Sequence, residues 1–97
     1  TEPSSDYFSN HWLSCITFSD KSDKNPLGMR EALSNENIET RPLWKPMHIQ
    51  PVFKDAPFYG DGTSEALFNR GMCLPSSSSM NDQERSRITD AVLAYIN

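Results

Sequence analysis

Arg41, Trp44, Lys45 and His48 stand at close spacing between Pro42, Pro46 and Pro51. A guanidinium grips carboxylates and phosphates through a planar fork, an indole stacks on flat groups, and an imidazole exchanges protons near neutral pH. Three prolines within residues 41–51 rule out one regular helix or a central strand, because each lacks a backbone N–H and fixes φ. A stiff, irregular connection bearing these side chains has the character of a site wall rather than a solvated linker. Each residue also has a plainer reading. His48 could cap its own turn, Arg41 could pair with Glu39 or a backbone carbonyl, and Trp44 could serve core or inter-domain packing.

The rest of the chain adds few rival sites. Ser76 to Ser79 lack the glycines that expose backbone amides in phosphate loops, so a plain turn is expected there. Tyr7 and Tyr59 have no supporting context, and Tyr95 reads as the amphipathic end of a helix face. His11 and Cys15 lie four apart, but no recognised metal-ligand spacing joins them to His48 or Cys73. No metal site is therefore expected. Cys15 and Cys73 sit in apolar surroundings without a CxxC spacing and read as two buried thiols in a reducing cytoplasm.

Bulk properties bound the function class. Ninety-seven residues suffice for one domain with a single core. A net charge of −4 and a pI near 5.0 argue against nucleic acid as a partner, since phosphate binding needs a concentrated basic surface. No apolar run approaches the roughly 20 residues that span a bilayer. The opening Thr1 to Asp6 has neither the basic nor the apolar region of a secretory leader.

The elements that must position the candidate residues alternate in type. Trp12 to Phe18 is apolar and β-favouring, a strand expected to be covered on both faces. Asn25-Pro26 should open a helix with Met29, Ala32 and Leu33 on one face, stopping near Glu36-Asn37 with Asn37 in a left-handed cap. Ile38 to Arg41 should form a second strand. Tyr59 to Gly62 should turn, with Thr63 or Ser64 capping a short helix that ends at Gly71, followed by the apolar Met72-Cys73-Leu74. Asn81 and Glu84 stand in a capping-box relation, and Ile88, Ala91, Val92, Tyr95 and Ile96 recur at helical spacing. The pattern implies a small α/β or α+β layer structure.

The run Arg41-x-x-Trp44-x-Pro46-x-His48-x-x-Pro51 resembles a signature of the C-terminal domain of the DegT/DnrJ/EryC1/StrS sugar aminotransferases. Asn10-His11-Trp12-Leu13, Asn37 to Pro42 and Phe68 to Ser76 resemble further segments of that domain, in order and over residues 10–97. Asn37 and Ser77 stand where many relatives carry Gly. The resemblance implies the small domain of a fold-type-I pyridoxal-phosphate (PLP) enzyme, with a short, mostly antiparallel sheet flanked by helices. It implies residues 1–9 as a connection from a large domain and residues 10–97 as the small domain.

The function so implied is transfer of an amino group from L-glutamate to a UDP-linked 4-keto-6-deoxy sugar for glycan biosynthesis, in a cytoplasmic homodimer. His48, Arg41 and Trp44 would face the substrate. The family's PLP-binding lysine is not matched by Lys21, Lys24, Lys45 or Lys54, so these residues alone should be inactive. A PLP-dependent sugar dehydratase of the same family, or a non-catalytic binding module derived from this domain, are the alternatives.

Overall fold

A computed structural model describes residues 2–97. Its elements are β1 (Ser14–Thr17), α1 (Pro26–Asn35), β2 (Arg41–Pro42), two 3₁₀ turns at Met47–Ile49 and Pro51–Phe53, α2 (Thr63–Arg70), β3 (Gly71–Leu74) and α3 (Asp82–Ile96). The strands form one antiparallel sheet in the order β1-β3-β2, with Cys15 opposite Cys73 and Cys73 opposite Arg41. This is the expected α+β class. Met29 and Leu33 of α1, Ile38 and Met72 of β3 make the buried core, and Ile16, Phe18, Ile88, Val92 and Tyr95 pack against it.

Helix α1 starts and stops as its sequence dictates. The Asn25 side chain accepts from the Gly28 amide at 2.8 Å, and Pro26 fills a position whose N–H would have no helical partner. At the far end Asn37 adopts φ 56°, the Ile38 amide donates to the Leu33 carbonyl, and the Asn37 amide donates to Ser34. Ile38 and Leu33 then meet in the core, completing a Schellman cap. That cap explains why the second strand is shorter than the expected Ile38 to Arg41. Ile38 spends its amide on the helix end, and the ladder begins only at Arg41. Pro42 is tolerated because β2 is an edge strand.

Strand β1 also departs from expectation. It covers Ser14–Thr17 rather than Trp12 to Phe18, and it lies at the sheet edge with Ser14, Cys15 and Thr17 exposed. Ile16 and Phe18 alone turn toward the core, the two-residue period of a strand with one covered face. Cys15 is therefore exposed, and only Cys73 is the buried thiol that was expected of both.

Helix α2 is capped differently from the Thr63 or Ser64 reading. Gly62 is the N-cap at φ 85°, a left-handed value that glycine adopts without a Cβ penalty. The carboxylate of Asp61 accepts from the Thr63 amide at 3.0 Å. Helix α3 carries the expected capping box, with Asn81 and Glu84 exchanging side chain-to-backbone hydrogen bonds of 2.8 Å. Its inward face ends at Tyr95, whereas Ile96 is exposed. The Tyr95 hydroxyl donates to the Asn25 carbonyl at 3.2 Å and accepts from the Asn25 amide at 3.3 Å, tying the end of α3 to the start of α1. Among the described residues, no helix is long and apolar enough to cross a membrane.

Two expectations for stability follow from this packing. A Cβ at buried Gly71 would lie 2.7 Å from the Leu67 carbonyl oxygen and closer still to the Leu43 side chain. Gly71→Ala should therefore destabilise the fold by about 1–3 kcal/mol in urea titrations. The Thr63 side chain first, and its amide second, hold the Asp61 carboxyl below its ordinary value of 3.8. A depressed carboxyl stabilises above its unfolded value and loses that contribution as pH falls through its folded one. Asp61→Asn should thus lower the thermal midpoint at neutral pH, and the difference from wild type should shrink once pH falls well below 3.8.

Candidate functional site

The Pro-rich segment is folded by its own backbone. The Ile49 amide donates to Pro46 and the Gln50 amide to Met47, making the first 3₁₀ turn, and Pro51 opens the second. The Gln50 side-chain amide reaches back to the Lys45 carbonyl at 2.9 Å. Each proline sits where no amide is needed, which is how a segment this rich in proline becomes a defined structure.

Arg41 and Trp44 line one open cleft of about 1140 Å³, together with Trp12, Phe68, Cys73 and the serine turn after β3. The Trp12 and Trp44 rings lie 5.6 Å apart at an angle of 42°, and both are about two-thirds exposed. Trp44 therefore packs on another aromatic at the surface and not in the core. The Arg41 guanidinium pairs with Glu39, and both side chains are 75% exposed. Such an exposed pair is weak, so the guanidinium can leave Glu39 for another anion at small cost. Ser76 accepts from the Ser14 amide and donates to the Leu74 carbonyl, and Ser77 bonds to Ser79. These hydroxyls close a turn, as their sequence suggests.

His48 stands apart from this cleft. It lies in the first 3₁₀ turn, stacked on Phe58 with ring centroids 3.9 Å apart and 24° between planes. Its Nε2 lies 3.3 Å from Glu65 Oε2, and 17% of its side chain is exposed. A carboxylate only accepts, so Nε2 carries the hydrogen in this contact. The Nε2 donor is thus engaged within the chain. The structure joins Arg41 with Trp44 and leaves His48 in a second cluster with Phe58 and Glu65.

Trp12, Phe58 and Glu65 were not read from the sequence as site residues. Trp12 sits next to the strand it was assigned to, and Glu65 in the first turn of α2 is indistinguishable from any helix-start carboxylate. Only the fold brings these residues to their partners. Among the described residues, no group of three or more His, Cys, Asp or Glu is placed to hold a metal ion.

The lysines do not form a PLP cradle. Lys21, Lys45 and Lys54 are exposed, and the Lys24 ammonium lies over the Tyr95 ring, 5.2 Å from its centroid. A Schiff-base lysine is activated by burial or by a neighbouring cation, and none of the four has that setting. No step through PLP is assigned to these residues.

The model of the DegT/DnrJ/EryC1/StrS aminotransferase family matches residues 1–93. A Bacillus subtilis (strain 168) protein assigned as a pyridoxal phosphate-dependent aminotransferase, EpsN, is 43% identical over 89 residues, covering 88% of this chain and 22% of its own length. The GDP-perosamine synthase of Vibrio cholerae is 28% identical over 91 residues, covering 93% of this chain and 25% of the synthase. That of Escherichia coli O157:H7 is 28% identical over 89 residues, covering 92% and 24%. The chain thus spans about a quarter of the length of these relatives. A match over nearly the whole sequence decides the assignment: the chain belongs to the DegT/DnrJ/EryC1/StrS aminotransferase family.

Proposed function

We propose that these residues form the small domain of a PLP-dependent enzyme that transfers an amino group from L-glutamate to a UDP-linked 4-keto-6-deoxy sugar. The product would enter glycan biosynthesis, and the working unit would be a cytoplasmic homodimer. The observation that carries the reading is the cleft pairing Trp12 and Trp44 with Arg41, in a chain that belongs to an aminotransferase family. Paired indoles suit the apolar face of a sugar ring, and a guanidinium loosely held by Glu39 suits a phosphate or carboxylate.

The exposed surface supports a domain completed by other protein. A compact monomer of 11.0 kDa exposes about 5600 Å². This domain exposes 7727 Å², and its radius of gyration of 15.7 Å exceeds the ~13 Å of a compact chain of this size. The excess, about 2100 Å² on this one chain, is well above the roughly 800 Å² that each partner buries in a standard interface. Tyr7, Phe8, Trp12, Trp44, Val52 and Tyr59 are each more than half exposed, as residues facing a missing partner surface would be.

In this reading the cofactor is held by the remainder of the protein, and this domain binds, orients and excludes water. Trp12 and Trp44 wall the sugar, Arg41 exchanges Glu39 for the ligand's anion, and the cluster around His48 stiffens the adjoining turn. The two synthase relatives make GDP-perosamine by name, which makes a GDP-linked ketone the second substrate to try.

The decisive assay incubates the full-length protein with PLP, nitrogen-15 glutamate and either UDP- or GDP-linked 4-keto-6-deoxy sugar. Mass spectrometry of the nucleotide sugar should show label, and PLP mixed with residues 1–97 alone should give no Schiff-base absorbance. Label retained in glutamate, with dehydrated sugar instead, would favour the dehydratase. Arg41→Ala should raise KM by about tenfold, the loss of one charge-assisted contact of ~1.5 kcal/mol. The His48 geometry has its own test, in nitrogen-15 spectra of the imidazole. Wild type should show the Nε2–H tautomer, and Glu65→Gln should yield a mixture while leaving stability within ~1 kcal/mol.

A further inference from the structure

Outside the cleft chemistry, the two cysteines form the most closely built reactive pair among the described residues. Cys15 and Cys73 are opposed across β1 and β3, with Sγ atoms 3.6 Å apart. The position of this pair in the ladder follows from its neighbours. Phe18 donates its amide to the Arg70 carbonyl at 2.9 Å, so that pair is hydrogen-bonded. Hydrogen-bonded and non-hydrogen-bonded pairs alternate along an antiparallel ladder, which makes Thr17·Gly71 non-bonded, Ile16·Met72 bonded and Cys15·Cys73 non-bonded. Non-bonded pairs bring opposed side chains closest, with Cα atoms about 4.5 Å apart, within the range a disulfide requires. Both side chains are on the same face of the sheet, so closing the gap to a bond of about 2.05 Å needs only side-chain rotation.

We propose that Cys15 and Cys73 are a reversible dithiol–disulfide pair that reacts with low-molecular-weight disulfides. Cys15 is exposed and is the thiol that such a reagent meets, while Cys73 is buried behind it and serves as the resolving thiol. The Cys15 thiolate attacks one sulfur of R–S–S–R, forming a mixed disulfide and expelling R–S⁻. Cys73 gives its proton to solvent, and its thiolate attacks the Cys15 sulfur, forming the Cys15–Cys73 bond and expelling the second R–S⁻. Two protein thiols are oxidised, one reagent disulfide is reduced, and the two thiolates leave as two R–SH after protonation. Burial first, and the neighbouring Cys15 second, push the Cys73 thiol up, which makes the second step the slower one.

The pair is coupled to the cleft by its place in the sheet. Cys73 lies between Cys15 on one side and Arg41 on the other, and its Sγ points to the Pro42 carbonyl at 3.9 Å. Oxidation removes that S–H donor from the strand that leads into the Trp44 segment. It also closes a span of 58 residues that contains all of residues 41–51.

The test treats the full-length protein with oxidised glutathione, blocks remaining thiols with N-ethylmaleimide and maps peptides without reduction. The expected product is a linked peptide pair joining Cys15 to Cys73, two hydrogens lighter than the separate peptides and absent after dithiothreitol. Cys15→Ser, an exposed and conservative change, should abolish the linkage and leave Cys73 without glutathione. A Cys15–glutathione adduct that persists without resolving would overturn the proposal. Two thiols that both remain free to the alkylating reagent would do the same.

Discussion

Strand β3 is paired on both sides, and the other strands and the helices are arranged around it. Gly71, Met72 and Cys73 are buried in a stretch of four residues, with β1 hydrogen-bonded along one edge and β2 along the other. Met72 is wholly enclosed by the core that α1 and α3 cover, and Gly71 admits the Leu43 side chain because it has no Cβ. The cleft is a by-product of this arrangement. Arg41 is opposite Cys73 because β2 must follow the register of β3, and Leu43 and Trp44 then leave the sheet together, one inward and one toward solvent.

What could be read from the sequence was whatever short-range chemistry decides. Asn25-Pro26, the left-handed Asn37 and the Asn81–Glu84 box each act within four residues, so residue type alone places them. Strand limits depended on competition that the sequence does not display. Ile38 favours strands, yet its amide goes to the helix cap and its side chain to the core. Trp12 is as apolar as a core residue, yet it lies beyond the paired register and faces outward.

The site divides in the same way. Arg41, Trp44 and His48 were recognisable by type, and the resemblance to a family gave them a setting. Their immediate partners are reached only through the fold, since Trp44 meets Trp12 and His48 meets Glu65 across long stretches of chain. His48 shows why residue type underdetermines a role. The same imidazole can donate to a ligand or, as here, to the Glu65 carboxylate within the chain.

The pairing of β1 with β3 also has a temporal side. Residues 14–17 cannot find their partners until residues 71–74 exist, and the core they help to cover is closed by α3, at the far end of the chain. Contacts this distant in sequence must overcome the entropy of closing a long loop before they return any free energy. During synthesis, β1 therefore leaves the ribosome as an unpaired strand next to Trp12, and waits for most of the domain to follow. Nascent chains held in that interval are the ones most exposed to edge-to-edge association, so the rate of translation through residues 18–70 bears on the yield of folded protein.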